Sequence, residues 1–314
     1  MAPEMMVRSI DKMRSPGAAL WRDKYSISDS EDAPFFIVGA GRSGNTLLRK
    51  MICENTLTAI PPELPGLGNI VRLYDRMRKC SWEDFCFNII EEFKFQCEKT
   101  PGVVEEESRW DELGVRFSDI IERCKESESK SLASVVRALY KEYMEKNMPG
   151  STKYGDKTPW NAFHVGRIDR MFPNAKYIHL IRDGRASALS YRESLNYNYQ
   201  DAVDRWIDAN KKIENFKAKR QDRFITIKYE NLVSETDACL SVMVEFLELE
   251  ETVPENRVNM NYGDMGAKHH RNAESGKIME GRKDAWRKRI TKEEMLYSEK
   301  RMGRLLKSYG YDVS

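Results

Sequence analysis

Pro34-Phe35-Phe36-Ile37-Val38-Gly39-Ala40-Gly41-Arg42-Ser43-Gly44-Asn45-Thr46-Leu47-Leu48 is the stretch that decides the fold. Four consecutive apolar residues, Phe35 to Val38, stand between Pro34 and Gly39, as in a short strand buried on both faces of a parallel sheet. From Thr46 onward, Leu47, Leu48, Met51 and Ile52 recur at helical spacing. The order is strand, glycine-rich turn, helix.

The same grammar repeats further along. Tyr177-Ile178-His179-Leu180-Ile181 predicts a second buried strand with a helix from about Arg185, and Phe224-Ile225-Thr226-Ile227 a third, with a helix near Asp237 to Leu247. Strands alternating with helices predict an α/β fold: a P-loop-like parallel sheet flanked by helices on both faces. Between the first two units, residues 64–150 read as a helical insertion, because stretches such as SWEDFCFNIIEEFKFQCEK and SLASVVRALYKEYMEK carry apolar residues three to four apart. Residues 1–33, polar and interrupted by Pro16 and Gly17, read as an N-terminal arm, and 34–314 as a single domain.

Lysine and arginine number 52 against 50 aspartates and glutamates, a balance that argues against a general nucleic-acid binder but permits one basic pocket. An apolar run long enough to serve as a signal peptide or a membrane span is not found, so a cytoplasmic chain without a membrane partner is expected. Cys53, Cys80, Cys86, Cys97, Cys124 and Cys239 form no C-x-x-C pair, and free thiols without a metal site are expected.

Against the phosphate-loop template G-x-x-x-x-G-K-[ST], Gly39, Gly44 and Thr46 match. Backbone N–H groups of such a loop, with the positive end of the following helix, make a nest for phosphate or sulfate oxygens. The template lysine is Asn45 here, and Arg42 lies within the loop instead. That replacement disfavours an ordinary ATPase or kinase; the loop by itself also fits a glycine-rich turn that binds nothing. A second anion site is predicted at Ile181-Arg182-Asp183-Gly184-Arg185, where an arginine at the carboxyl end of a buried parallel strand can grip phosphate, and Ser190 follows eight residues later. Arg185 reads as part of a surface salt-bridge cluster.

GAGRSGNTLL followed by YIHLIRDGRASALSY resembles the two cofactor motifs of sulfotransferases that use 3′-phosphoadenosine 5′-phosphosulfate, PAPS. The stretch from Gly155-Asp156-Lys157-Thr158-Pro159 through Phe172-Pro173-Asn174-Ala175-Lys176 to Arg182 resembles the tyrosylprotein and bacterial carbohydrate-type branch. The resemblance implies that Arg42, Ser43, Gly44, Asn45 and Thr46 hold the 5′-phosphosulfate, and that Arg182 and Ser190 hold the 3′-phosphate. It implies Arg42 and Lys157 as cations for the bridging oxygen. Glu63, as far from Arg42 as that branch's glutamate from its loop arginine, becomes the general base. Ile227-Lys228-Tyr229-Glu230-Asn231-Leu232 resembles a strand-end motif that adds Tyr229. Gly281 to Trp286 with Thr291 resembles the loop that closes over the cofactor and adds Arg282, although Met279 and Glu280 replace the basic pair of cytosolic members. Trp286 reads as packing.

The expected reaction moves a sulfuryl group from PAPS to a hydroxyl or amine by in-line displacement, releasing PAP without a metal. The acceptor is expected to be a small molecule, a sugar or a peptide, and a homodimer is left open. A P-loop nucleotide kinase or nucleotide-binding protein is the competing enzyme reading, and a degenerate scaffold the non-enzymatic one. An acceptor pocket is placed in the insertion, where Trp82, Phe85, Phe93 and Trp110 either line a cavity or fill a core, the latter being preferred. His179 is read as a core residue, and His269-His270 as surface.

Overall fold

A computed structural model describes residues 25–77, 80–99, 113–251 and 284–313, with side chains of the helix ending at Lys99 described as far as residue 96. Its centre is a five-stranded, wholly parallel sheet in the order β2-β3-β1-β4-β5. The three expected strands are β1 (Phe35–Val38), β4 (Tyr177–Ile181) and β5 (Phe224–Lys228). They lie side by side, with Phe36 paired to Tyr177 and Tyr177 to Phe224. Those aromatic partners stack: the Tyr177 ring is 4.6 Å from Phe224 and 5.6 Å from Phe36. Burying each such ring contributes about 1.5–3 kcal/mol. The other two strands are β2 (Thr58–Ala59), at one edge of the sheet and too short to leave a periodic signature, and β3 (Lys153–Asp156), between β2 and β1.

Helices cover the sheet. The first, α1 (Asn45–Asn55), begins at the phosphate loop, one residue ahead of the expected start. The insertion supplies α2 (Leu67–Arg76), α3 (Trp82–Lys99), α4 (Phe117–Glu126) and α5 (Leu132–Asn147). A capping box opens α5: Ser134 N donates to Ser131 Oγ at 3.0 Å and Ser131 N to Ser134 Oγ at 3.3 Å. Trp82, Phe85 and Phe93 are core, with Trp82 stacked on Phe85 and its Nε1 donating to Cys124 O; Trp110 lies outside the described residues. Residues 25–33, the end of the stretch read as an arm, pack on this insertion. Tyr25 is buried beside Trp82 and Phe85, and buried Arg137 of α5 pairs with Asp29 and Glu31.

After β3 come a 3-10 turn (Pro159–Phe163) and α6 (Val165–Met171). Between β4 and β5 lie α7 (Gly184–Leu195) and α8 (Tyr199–Lys217). Beyond β5 follow α9 (Tyr229–Ser234), α10 (Thr236–Leu247) and, at the end, α11 (Lys292–Ser308). Among the described residues no helix is long and apolar enough to cross a membrane. Parallel strands point all their carboxyl ends the same way, which is where such sheets bind ligands. Here β1 runs into Gly39, β3 into Lys157, β4 into Arg182 and β5 into Tyr229.

Candidate active site

The phosphate loop is built around close approaches. A side chain on Gly41 would meet the Tyr191 hydroxyl at 1.9 Å, and one on Gly44 the Tyr229 ring at 2.5 Å. Gly44 also has φ 95°, a left-handed conformation that glycine adopts without strain, and Arg42 has φ 64°. Asn45, in the template lysine's place, turns back into the loop, its Nδ2 donating to Ala40 O at 3.1 Å. Helix α1 has no side-chain cap at Gly44, so its first amides are open to an anion. Ser43 Oγ is buried without a hydrogen-bond partner, as is Asn45 Oδ1. Buried polar atoms are rarely left unpaired, and a hydroxyl donor plus free amides suits an anion's oxygens.

The second predicted anion site meets the first. Arg182 Nη1 donates to Arg42 O at 3.0 Å, and its guanidinium lies 4.4 Å from the Tyr229 ring centroid. Arg42 Nε donates to Ser190 Oγ at 3.1 Å and Nη2 to Ser194 Oγ at 3.3 Å. Burial lowers the Arg42 pKa, Arg182 adding to the effect while Tyr191 and Glu63 oppose it. Arg42, Arg182, Ser190 and Tyr229 thus form one cluster, with the Arg42 guanidinium held on the Ser190 side. Ser194 was not singled out in the sequence, although it stands one helical turn beyond Ser190.

Lys157 and Glu63 form the third group. Lys157 Nζ is 2.6 Å from Glu63 Oε1 and 3.4 Å from Thr46 Oγ1, and Lys157 is 1% exposed. Far from being a solvated lysine after a short strand, it is buried against the phosphate loop. Two neighbours escaped the sequence reading although they flank Lys157 in the quoted motif. Asp156 is fully buried, accepting from Tyr140 Oη at 2.8 Å and Asn161 Nδ2 at 2.6 Å. Burial pushes its carboxyl up to about 6, against the opposing pull of Tyr140, Thr158 and Lys157. Thr158 Oγ1 accepts from Leu64 N at 2.8 Å, tying the backbone beside Glu63 to the end of β3.

Arg185 corrects the sequence reading. It is 1% exposed, bonded to both oxygens of Asp183 and to Asp312 O, with its guanidinium 4.6 Å from the Trp286 ring centroid. Trp286 is buried, in keeping with packing. His179 is a buried strand residue whose Nε2 meets Asn210 Oδ1 at 2.9 Å. Arg282 and His269-His270 lie outside the described residues. Among the described residues no three His, Cys, Asp or Glu side chains gather as metal ligands would, and Cys53, Cys80, Cys86, Cys124 and Cys239 are free thiols.

A profile described as "Sulfotransferase family" matches residues 34–254. Among curated proteins, the chain is 26% identical over 226 residues to an uncharacterized protein of Aquifex aeolicus, covering 69% of this chain and 25% of that one. It is 23% identical over 228 residues to protein-tyrosine sulfotransferase 1 of Danio rerio, covering 70% of this chain and 54% of that one. The chain therefore spans between about a quarter and about half the length of these relatives. Among solved structures, the sulfotransferase domain from the Synechococcus PCC 7002 olefin synthase superposes with a TM-score of 0.61 at 20% identity, covering 93% of this chain and all of that domain. The sulfotransferase domain from the curacin biosynthetic pathway gives 0.60 at 20% identity, covering 90% and all of that domain. Both share the α/β fold described above.

Proposed function

The chain belongs to the sulfotransferase family, and from that premise we propose that it transfers a sulfuryl group from PAPS to a hydroxyl or amine acceptor. The observation that carries the reading is the meeting of Lys157, Glu63 and Thr46 at the phosphate loop, from three separate parts of the chain. PAPS supplies an activated sulfuryl group whose bond to the phosphate oxygen breaks as the bond to the acceptor forms. The loop amides with Ser43, Gly44, Asn45 and Thr46 accommodate the phosphosulfate, the unpaired Ser43 hydroxyl and uncapped α1 supporting that role. Arg182 and Ser190 hold the 3′-phosphate, with Tyr229 against the Arg182 guanidinium. Arg282 is a further cofactor contact on the resemblance alone.

Lys157 neutralises charge that develops on the departing phosphate, the kind of fixed electrostatic stabilisation that dominates many enzymes. Arg42, held over Ser190, steadies the same anion from the other side. Glu63 takes the acceptor's proton. Its ion pair with Lys157 holds the two groups together until substrates part them. No metal has a step in this scheme. The kinase alternative gains no support: Asn45 closes the loop and Asp183 is engaged by Arg185.

The test is isothermal titration with PAP and with ATP, followed by transfer of labelled sulfate from PAPS to a panel of phenols, sugars and amines, with and without EDTA. PAP binding, weak ATP binding and EDTA-resistant transfer are expected. Preference for ATP, or dependence on added magnesium, would overturn the proposal.

A further inference from the structure

Beside the site proposed for the donor, on the Tyr191 side, cations and aromatic rings gather, and among the described residues no carboxylate forms an ion pair with these cations. Trp160, three residues beyond Lys157, is 39% exposed. The Arg205 guanidinium of α8 lies 4.1 Å from the Trp160 ring centroid and 6.0 Å from that of Tyr191. Burial raises the Tyr191 pKa, and the Arg205 charge pulls against that rise. The Tyr191 hydroxyl abuts Gly41 of the phosphate loop, as the 1.9 Å approach to a Gly41 Cβ shows. Tyr191 thus stands between Arg205 and the loop assigned to the donor, and the charges of Arg42 and Glu63 reach the same tyrosine.

Among the described residues no carboxylate pairs with Arg205. Its chain neighbour Asp204 is bound by Arg301 instead. Lys212, further along α8, is likewise without a carboxylate among the described residues and lies 5.2 Å from the Phe163 ring centroid. Arg167 turns to Gly68 O and His164 rather than to an acid. The charge surplus has an independent trace: burial first, then Arg167, Lys212 and Arg72, push the His164 pKa down to about 4. Elsewhere the same chain pairs its arginines closely, as at Arg185–Asp183, Arg223–Asp169 and Arg192–Glu294. Like charges left together beside aromatic faces cost stability unless an anion joins them, and a guanidinium grips carboxylates by paired hydrogen bonds.

We propose that this face is the acceptor subsite, and that it takes an aryl acceptor bearing a carboxylate, with the carboxylate on Arg205 and the ring against Trp160. The proposal rests on the sulfotransferase reading of the adjoining loop. It moves the acceptor away from the insertion's Trp82, Phe85 and Phe93, which are buried in a core. Arg205 and Trp160 become specificity determinants, acting on the acceptor and not on the donor.

The experiment uses two probes of the same shape and different charge, 4-hydroxyphenylacetate and its neutral amide. Each is titrated into the full chain already saturated with PAP. The carboxylate is expected to bind roughly tenfold more tightly than the amide, a ratio worth about 1.4 kcal/mol. Arg205→Gln should bring the ratio to about one, Arg205→Lys should keep part of it, and PAP affinity should be unchanged in both. Trp160→Leu should weaken both probes alike. Equal binding of the two probes by wild type, or no saturable binding of either, overturns the proposal. So does a ratio that survives Arg205→Gln, or a loss of PAP binding in that variant, which would place Arg205 on the donor. PAP titration of the wild type, done first, separates the two readings: if PAP fails to bind there, the donor assignment falls and not merely the acceptor's.

Discussion

Glu63 and Lys157 are 94 residues apart in the chain and 2.6 Å apart in space. With Glu63 as base, Glu63→Gln keeps the shape but cannot take a proton, so kcat should fall about 10²–10⁴-fold while PAP affinity holds. Turnover within about threefold of wild type would reduce Glu63 to an ion-pair partner. Arg182→Ala should weaken PAP by roughly 1.5–3 kcal/mol and leave adenosine 5′-phosphosulfate, which lacks the 3′-phosphate, nearly untouched. Equal losses for the two ligands would remove Arg182 from the 3′-phosphate. Thr158 adds a subtler test, since its hydroxyl accepts from Leu64 N beside Glu63. Thr158→Val leaves a buried N–H unpaired and loosens the segment carrying Glu63, so kcat should drop about tenfold at constant PAP affinity. Thr158→Ser should restore it. Failure of serine to rescue would mean that the methyl packing matters and the hydroxyl does not.

At the scale of elements, each piece of the proposed donor site is a strand end followed by a helix start, and the helices lock one another in place. Trp206 of α8 donates its Nε1 to Arg182 O at 3.2 Å, fixing the backbone that presents the arginine. Tyr191 of α7 closes over Gly41, and Tyr229 of α9 over Gly44. A methyl at Gly41 therefore collides with a side chain of a different element. Gly41→Ala should lower PAP affinity by about tenfold or more, because either the loop or Tyr191 must shift. Adding Tyr191→Phe removes the atom at 1.9 Å but leaves ring carbon Cζ at 2.9 Å, so recovery should be partial. Full PAP affinity in Gly41→Ala alone would show that the loop does not need this packing.

Over the whole molecule, two groups, buried Asp156 and half-buried His164, set opposite responses to acid. Asp156 titrates in the fold at about 6 against an ordinary 3.8, so between those values the folded chain holds a proton that the unfolded chain lacks. Its contribution to stability rises as pH falls through that window. His164 titrates at about 4 against 6.5, so there the unfolded chain holds the extra proton and stability falls on acidification. The two trends oppose each other over the same interval. His164→Gln removes one of them, and between about pH 7 and about pH 4.5 the variant should gain on the order of 1 kcal/mol relative to wild type, the half-exposed histidine being discounted for screening. Denaturant unfolding at the two pH values measures it, and identical pH dependence in both proteins would contradict it. Local pattern alone determined much of this chain. Continuous apolar runs placed β1, β4 and β5, glycine spacing placed the phosphate loop, and a strand-end position marked Arg182, because each signal is confined to a few neighbouring residues. The tertiary structure alone decided that two-residue β2 joins the sheet, that Arg185 is buried on Trp286, that Arg42 turns to Ser190, and that Arg205 settles over Trp160. Those outcomes depend on which strands pair and which helices pack across them, contacts between residues far apart in the chain that no local spacing encodes.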